Sequence, residues 1–419
     1  MPEMTMRIFK TARLLLLSGA ATAALMGSAF ALDAQAFVDR LTTVSAAYGY
    51  GFEFGPARLD GDTIIVDGFT LSVDPSEAVA EPMTMDAEIT FSGVTEGSDG
   101  SFTAETITIP DIDTEFASEP AGRLTLTDVR LGGLYLPGDD PAPAVMSLQL
   151  LESASTGPLV VTRDGVEIFS IDSMESVTTF NPAQGSLDLV DVHAPFAING
   201  IWADLGQMNE DDKKTAATIE KLGLSTISGD ITGHMSWSMA DGHMNIEEFL
   251  FDFADIGALN ITLDITGFTP AVLDQMYAIQ AAMPPDGEMT EDQAQAQMMA
   301  GMALLQGINI VGASVRYDDA SLAGRLLEHF AAEAGTDRAT HVENLKAGLP
   351  AMLAGSGIPA LNDIVIPPLS AFLDDPQSLE FRVSPPSPTS LLVLMAAAAN
   401  PAGLITALGF TVEANSAAE

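Results

Sequence analysis

The stretch Asp241–Phe253, DGHMNIEEFLFDF, decides the fold. Met244 and Ile246 alternate with polar residues, as on a strand with one apolar side. The alternation resumes at Phe249, Phe251 and Phe253, one residue out of phase. Side chains on a strand repeat every two residues, so the slip sends the second set to the wrong face unless a β-bulge absorbs the extra residue.

The same slip follows four other glycines. Gly122 leads to Leu124, Leu126, Val129 and Leu131, and Gly100 to Phe102, Ala104, Ile107 and Ile109. Gly185 leads to Leu187, Leu189, Val192 and Ala194, and Asp60-Gly61, with one more turn residue, to Ile64, Val66, Phe69 and Leu71. The unit is Gly-x-h-x-h-x-x-h-x-h, with h mostly apolar, at unequal intervals. Repeats imply architecture before anything else, and bulges at matching places in successive strands bend a sheet. Chance recurrence of alternation beside acidic turns is the competing explanation. The expected fold is α+β: an elongated, curved, mainly antiparallel sheet of irregular repeats, with a helical C-terminal region packed on it.

Three regions follow. Residues 1–31 have the form of an export signal: Arg7, Lys10 and Arg13 flank the apolar run Leu14–Met26, and Ala29-Phe30-Ala31 fits a small-x-small cleavage site. The run is shorter than the roughly 20 residues of a spanning helix, so the mature chain is expected to begin near Leu32, with no integral span after cleavage. Residues 32–268 are the β-rich repeat region. Hairpins are expected at Val160–Phe169 and Met235–Ile246, each turning on Asp-Gly, and helices at Ala34–Ala47 and Asn209–Leu222. Residues 269–419 are mainly helical, at about 270–282, 291–306, 320–334, 338–354 and 360–373, with a helix-like run at Leu391–Ala399. Strands at Ile308–Tyr317, Leu379–Val383 and Phe410–Glu413 return to the same sheet.

The net charge is −42, from 16 basic and 58 acidic residues. Such a field repels nucleic acid and anionic membrane surfaces and keeps a chain with 47% hydrophobic residues soluble. There is no cysteine, which excludes disulfides, thiolate metal sites and cysteine nucleophiles.

No chemistry is nominated. Of the five histidines, no pair has the i, i+4 spacing of a helical zinc site. In a two-residue hairpin at Asp241-Gly242, His243 would pair with Ala240 and His234 would lie opposite Phe249, far apart on the ladder. The segment HMSWSMADGHM has the soft ligands of a copper(I) site, but Met235, Trp237 and Met239 alternate as a plain core strand does. Met298, Met299 and Met302 read as the core side of a helix, with a lipid- or partner-lining role as the alternative. Acidic pairs such as Asp111/Asp113 and Asp139-Asp140 lack a complete calcium loop and read as solvated turns. Gly312-Ala313-Ser314-Val315-Arg316 is half of a nucleophile elbow, and phosphate-binding loops are absent. No cofactor or metal is expected.

GRLTLTDVRL (Gly122–Leu131) and GSLDLVDVHA (Gly185–Ala194) resemble the repeated units of AsmA-type and YdgA-type envelope proteins of Gram-negative bacteria, over about residues 60–270. The resemblance implies a periplasmic, elongated sheet with an apolar concave side and, for some relatives, a role in envelope lipid homeostasis. The cleavable signal and the long helical C-terminal region depart from that pattern and put tethered lipid transport in doubt. The first expectation is therefore a non-enzymatic periplasmic protein binding a lipid or other apolar ligand, with Met244, Ile246, Phe249, Phe251, Leu124, Leu126, Val129 and Leu131 on the binding face. The alternative is a structural envelope protein with a closed core and an envelope partner. An enzyme ranks third.

Overall fold

The computed structural model describes residues 32–47, 51–72, 83–118, 120–138, 151–182, 190–208, 213–282, 290–355, 358–397 and 401–417. The segment read as an export signal lies outside them, as do Leu187, Leu189 and Asp139-Asp140.

The first strands are β1 (Gly51–Phe54), β2 (Ala57–Asp60), β3 (Thr63–Ser72), β4 (Met83–Ser92), β5 (Thr95–Glu96), β6 (Phe102–Thr108) and β7 (Ile112–Ser118). Then come β8 (Ala121–Leu126), β9 (Arg130–Leu136), β10 (Ser153–Thr156), β11 (Leu159–Arg163), β12 (Val166–Ile171), β13 (Ser173–Val177) and β14 (Thr179–Pro182). Five strands follow: β15 (Val190–Asp204), β16 (Thr226–Ser238), β17 (His243–Phe253), β18 (Gly257–Thr266) and β19 (Asn309–Asp319). β20 (Ser378–Val383), β21 (Thr389–Ser390) and β22 (Thr411–Ala414) complete the set.

All described strands belong to one open antiparallel sheet. Pairing runs from β1 and β2 through β3, β4, β6, β9, β10 and β13 to β15. It continues through β16, β17, β18 and β19 to β20, β21 and β22. β15 is long enough to pair along one edge with β14, β13 and β12 in turn, and β12 carries the branch β11, β8 and β7.

The slip in DGHMNIEEFLFDF is a bulge. Ile246 pairs with Met235 and Glu248 with His234, so Glu247 is extra on β17. On the other side, the four steps from Ile246 to Leu250 face three from Leu263 to Asn260. Met244, Ile246, Phe249 and Phe251 therefore stand opposite Trp237, Met235, Gly233 and Ile231, which alternate regularly on β16. Opposed residues share a side of the sheet, so all four lie on one side. β15 slips likewise between Ile198 and Ile201, where Gly200 takes φ +64°. After Gly122 the slip becomes a break at Thr127–Val129, with Asp128 at φ +54° and Val129 buried.

Ten helices are described: α1 (Ala34–Ala47), α2 (Leu205–Met208), α3 (Lys213–Lys221), α4 (Pro270–Ala281), α5 (Glu291–Gly307), α6 (Leu322–Glu333), α7 (Arg338–Ala354), α8 (Leu361–Asp374), α9 (Leu391–Ala397) and α10 (Pro401–Leu408). Asp33 caps α1 by accepting the N–H groups of Gln35 and Ala36. Phe37, Val38, Leu41 and Val44 then form its buried stripe. A capping box between Thr290 and Gln293 starts α5, and Asp337 caps α7.

Two local expectations are corrected. Of the single helix expected at Asn209–Leu222, the described part is α3, with residues 209–212 outside the described residues and the short α2 ahead of them. The hairpin loop is four residues, Met239–Gly242, so His243 pairs with Ser238 and, with the bulge, His234 with Glu248. α10 was not anticipated at all.

Candidate functional site

One row of paired residues crosses nine strands: Ile64, Phe91, Ile107, Leu131, Ala154, Ser176, Phe196, Gly233 and Phe249. Leu124 reaches the same side through Val161, Phe169, Ala203 and Ile227. Strict alternation puts Leu126 beside Leu124. Seven of the eight residues singled out from the repeats thus share one side of one sheet, although they occupy separate stretches of it, and Val129 is buried in the break before β9.

That side continues past the repeats. Ile246 and Phe251 pair with Leu263 and Leu259 on β18, Leu259 and Leu263 with Tyr317 and Ala313 on β19, and these with Leu379 and Val383 on β20. Val315 lies between Ile261 and Phe381, and Phe381 opposes Val412. Aromatic rings cluster over Gly233: Phe196 and Phe249 have centroids 5.7 Å apart, and Phe249 and Phe251 4.7 Å. A Cβ on Gly233 would collide with the Phe196 ring, so glycine is what lets the rings meet over β16.

The opposite side is polar. His243 Nε2 lies 2.7 Å from Asp264, Thr262 bonds Ser314 at 2.7 Å, and Thr232 donates to Glu248 at 3.0 Å. Arg316, almost fully buried there, is held by Asp318 at 2.6 Å and Glu380 at 3.5 Å. The hydrogen bond to Asp318 is the chief cause of its raised pKa. The C-terminal Ser416 accepts from the same guanidinium at 2.9 Å through its carbonyl.

Cover over the apolar side is uneven. At the N-terminal end α1 seals it: Ile64, Phe91, Phe102, Ile107 and Leu136 are buried with Phe37. Toward the C-terminal end Met235, Val315 and Phe381 remain 44, 43 and 38% exposed. Phe196, Met244, Ile246, Phe249 and Phe251 are only half-buried. Met235 therefore departs from the plain-core reading. Met298, Met299 and Met302 depart further, at 61, 63 and 46% exposed on a helix with no buried residue.

Charge is scarce on this side. From β15 to β22 it presents one ionisable cluster, where Asp319 accepts a hydrogen bond from the Tyr317 hydroxyl (2.8 Å) and another from the Ala323 N–H (2.8 Å). Burial first, and the carboxylate second, push the Tyr317 phenol up. Among the described residues no three His, Asp or Glu side chains converge as a metal site would require, and no helix is long and apolar enough to cross a membrane.

Two hollows lie away from the sheet face. One of about 680 Å³ separates α6, α7 and α8 and is lined by Leu326, Leu327, Phe330, His341, Leu345 and Phe372. Another of about 520 Å³ lies between α4 and α5, lined by alanines and Gln275, Gln293 and Gln297. Both are gaps between neighbouring helices, and Glu333 and His341 are the ionisable residues that line the first.

No curated protein matches the chain. A family model described only as "Uncharacterized protein" matches residues 250–415, which hold the last four residues of β17, β18–β22 and helices α4–α10.

Proposed function

We propose that the protein is an exported, non-enzymatic binding module that holds a lipid or another apolar ligand on the apolar side of its sheet and serves envelope homeostasis. The observation that carries this reading is the partly exposed stretch from Phe196 to Phe381: aliphatic and aromatic side chains in register over six strands, with three large residues more than a third exposed. Contiguous exposed apolar surface on a soluble chain marks a binding site far more often than it marks idle surface. A fully closed core, the basis of the alternative structural role, does not suit these exposures.

Native mass spectrometry and solvent extraction of the purified protein test the reading. Bound lipid is expected, together with uptake of a fluorescent neutral acylglycerol that Val315→Asp weakens without unfolding the chain. A protein that carries no lipid and takes up no probe overturns it.

A further inference from the structure

Resting on that reading, we infer that the ligand's head group bears no negative charge. An acyl chain laid on this surface leaves its head at the rim, and the rim has no available cation. No basic residue occurs between Lys221 and Arg316, the span that supplies β16, β17, β18, α4, α5 and most of β19. From residue 222 to the C-terminus the chain has five basic residues against 24 acidic ones.

All five are occupied. Arg316 and Arg382 lie on the polar side, both bound to Glu380. Arg325 is consumed by the backbone carbonyls of Leu222, Gly223 and Asp255. Arg338 faces Glu328 at 3.9 Å, and Lys346 bridges Glu343 and Asp374 at 2.8 and 2.9 Å. The lysines of α3 are matched within the same stretch of sequence by Glu210, Asp211, Asp212 and Glu220.

A carboxylate or phosphate head would thus give up hydration without gaining a counter-ion, in the field of a chain of net charge −42. A neutral head meets neither cost.

The test compares three probes that share one fluorescent acyl chain and end in a glycerol ester, a carboxylate or an amine. At low salt the glycerol ester is expected to bind at least about tenfold more tightly than the carboxylate, and the gap should narrow as salt screens the field. Met235→Lys, at an exposed position on the apolar side, should weaken the glycerol ester severalfold and at the same time shift the ratio of carboxylate to glycerol-ester affinity by about tenfold in favour of the carboxylate, and an unchanged ratio counts against the inference. The amine gauges non-specific attraction to the acidic surface, which cannot produce binding of the neutral probe. Equal or tighter binding of the carboxylate by the parent overturns this inference and leaves the binding function standing. Failure of all three probes overturns both.

Discussion

The two ends of this sheet are built from the same repeat and treated in opposite ways. At the N-terminal end, Ile64 and Val66 of one repeat and Phe102, Ala104 and Ile107 of another pack beneath α1, with Phe37 meeting Phe91 and Phe102 edge-on at 4.9 and 5.5 Å. At the C-terminal end, the repeat in β17 presents Met244, Ile246, Phe249 and Phe251 to the same side, where they are only half-buried. The slip-and-resume pattern therefore fixes which side a residue faces. Whether that side is closed depends on what is laid over it. A closed end supplies stability and an open one supplies surface.

The sharpest break of this comparison is Phe37→Ala. Phe37 is fully buried, its removal opens a cavity between α1 and β4–β6, and a loss of about 3–5 kcal/mol is expected in chemical denaturation. Since α1 packs on that end, the closed end should then behave like the open one and take up the neutral acyl probe at a second place. A Phe37→Ala protein as stable as its parent would mean that α1 does not account for the difference.

Deleting Glu247 strikes the open end. The deletion removes the extra residue, so either Phe249 and Phe251 swing to the polar side beside His234 and Asp252, or β17 slides against both neighbours. A loss of about 2–3 kcal/mol is expected, with probe binding abolished. Glu247→Ala, which keeps the residue count, should melt within about 0.5 kcal/mol of the parent because Glu247 is exposed. Equal thermal melting of the deletion and the parent would reduce the repeat to an accident of composition.

Much of this was legible from residue order. Bulges are counted in residues, so the phase of Met244–Phe251 could be read directly, and helices with caps at Thr290 and Asp337 or a clear apolar stripe fell within about two residues of their expected bounds. The hairpin register missed because the Asp-Gly pair sits at the end of a four-residue loop, where turn chemistry gives no count of the residues before it. Burial was the other failure. The methionines of α5 have helical spacing, yet alanine and glutamine surround the whole helix, so no stripe marks an inner face. Exposure of Met235 and Val315 was equally hidden, since alternation records the two sides of a strand but not what packs on either.

The finest test makes one chemical change at both ends. Val66 and Val315 face the same side of the sheet, the first fully buried under α1 and the second 43% exposed. Threonine is nearly the same shape as valine but carries a hydroxyl. At position 66 that hydroxyl leaves water for an apolar surround and must find a backbone partner on its own strand, so Val66→Thr should cost about 1–2 kcal/mol. At position 315 it stays in water, and the same change should alter stability by less than about 0.5 kcal/mol. Ligand affinity should order the other way: Val315→Thr places a hydrated group on the open apolar surface and weakens the neutral probe severalfold, while Val66→Thr leaves binding untouched. Denaturation midpoints and probe titrations on the same two preparations decide it. Equal costs at both positions would show that the C-terminal end is sealed in solution as firmly as the N-terminal end, and the contrast between closed core and open face would fall with it.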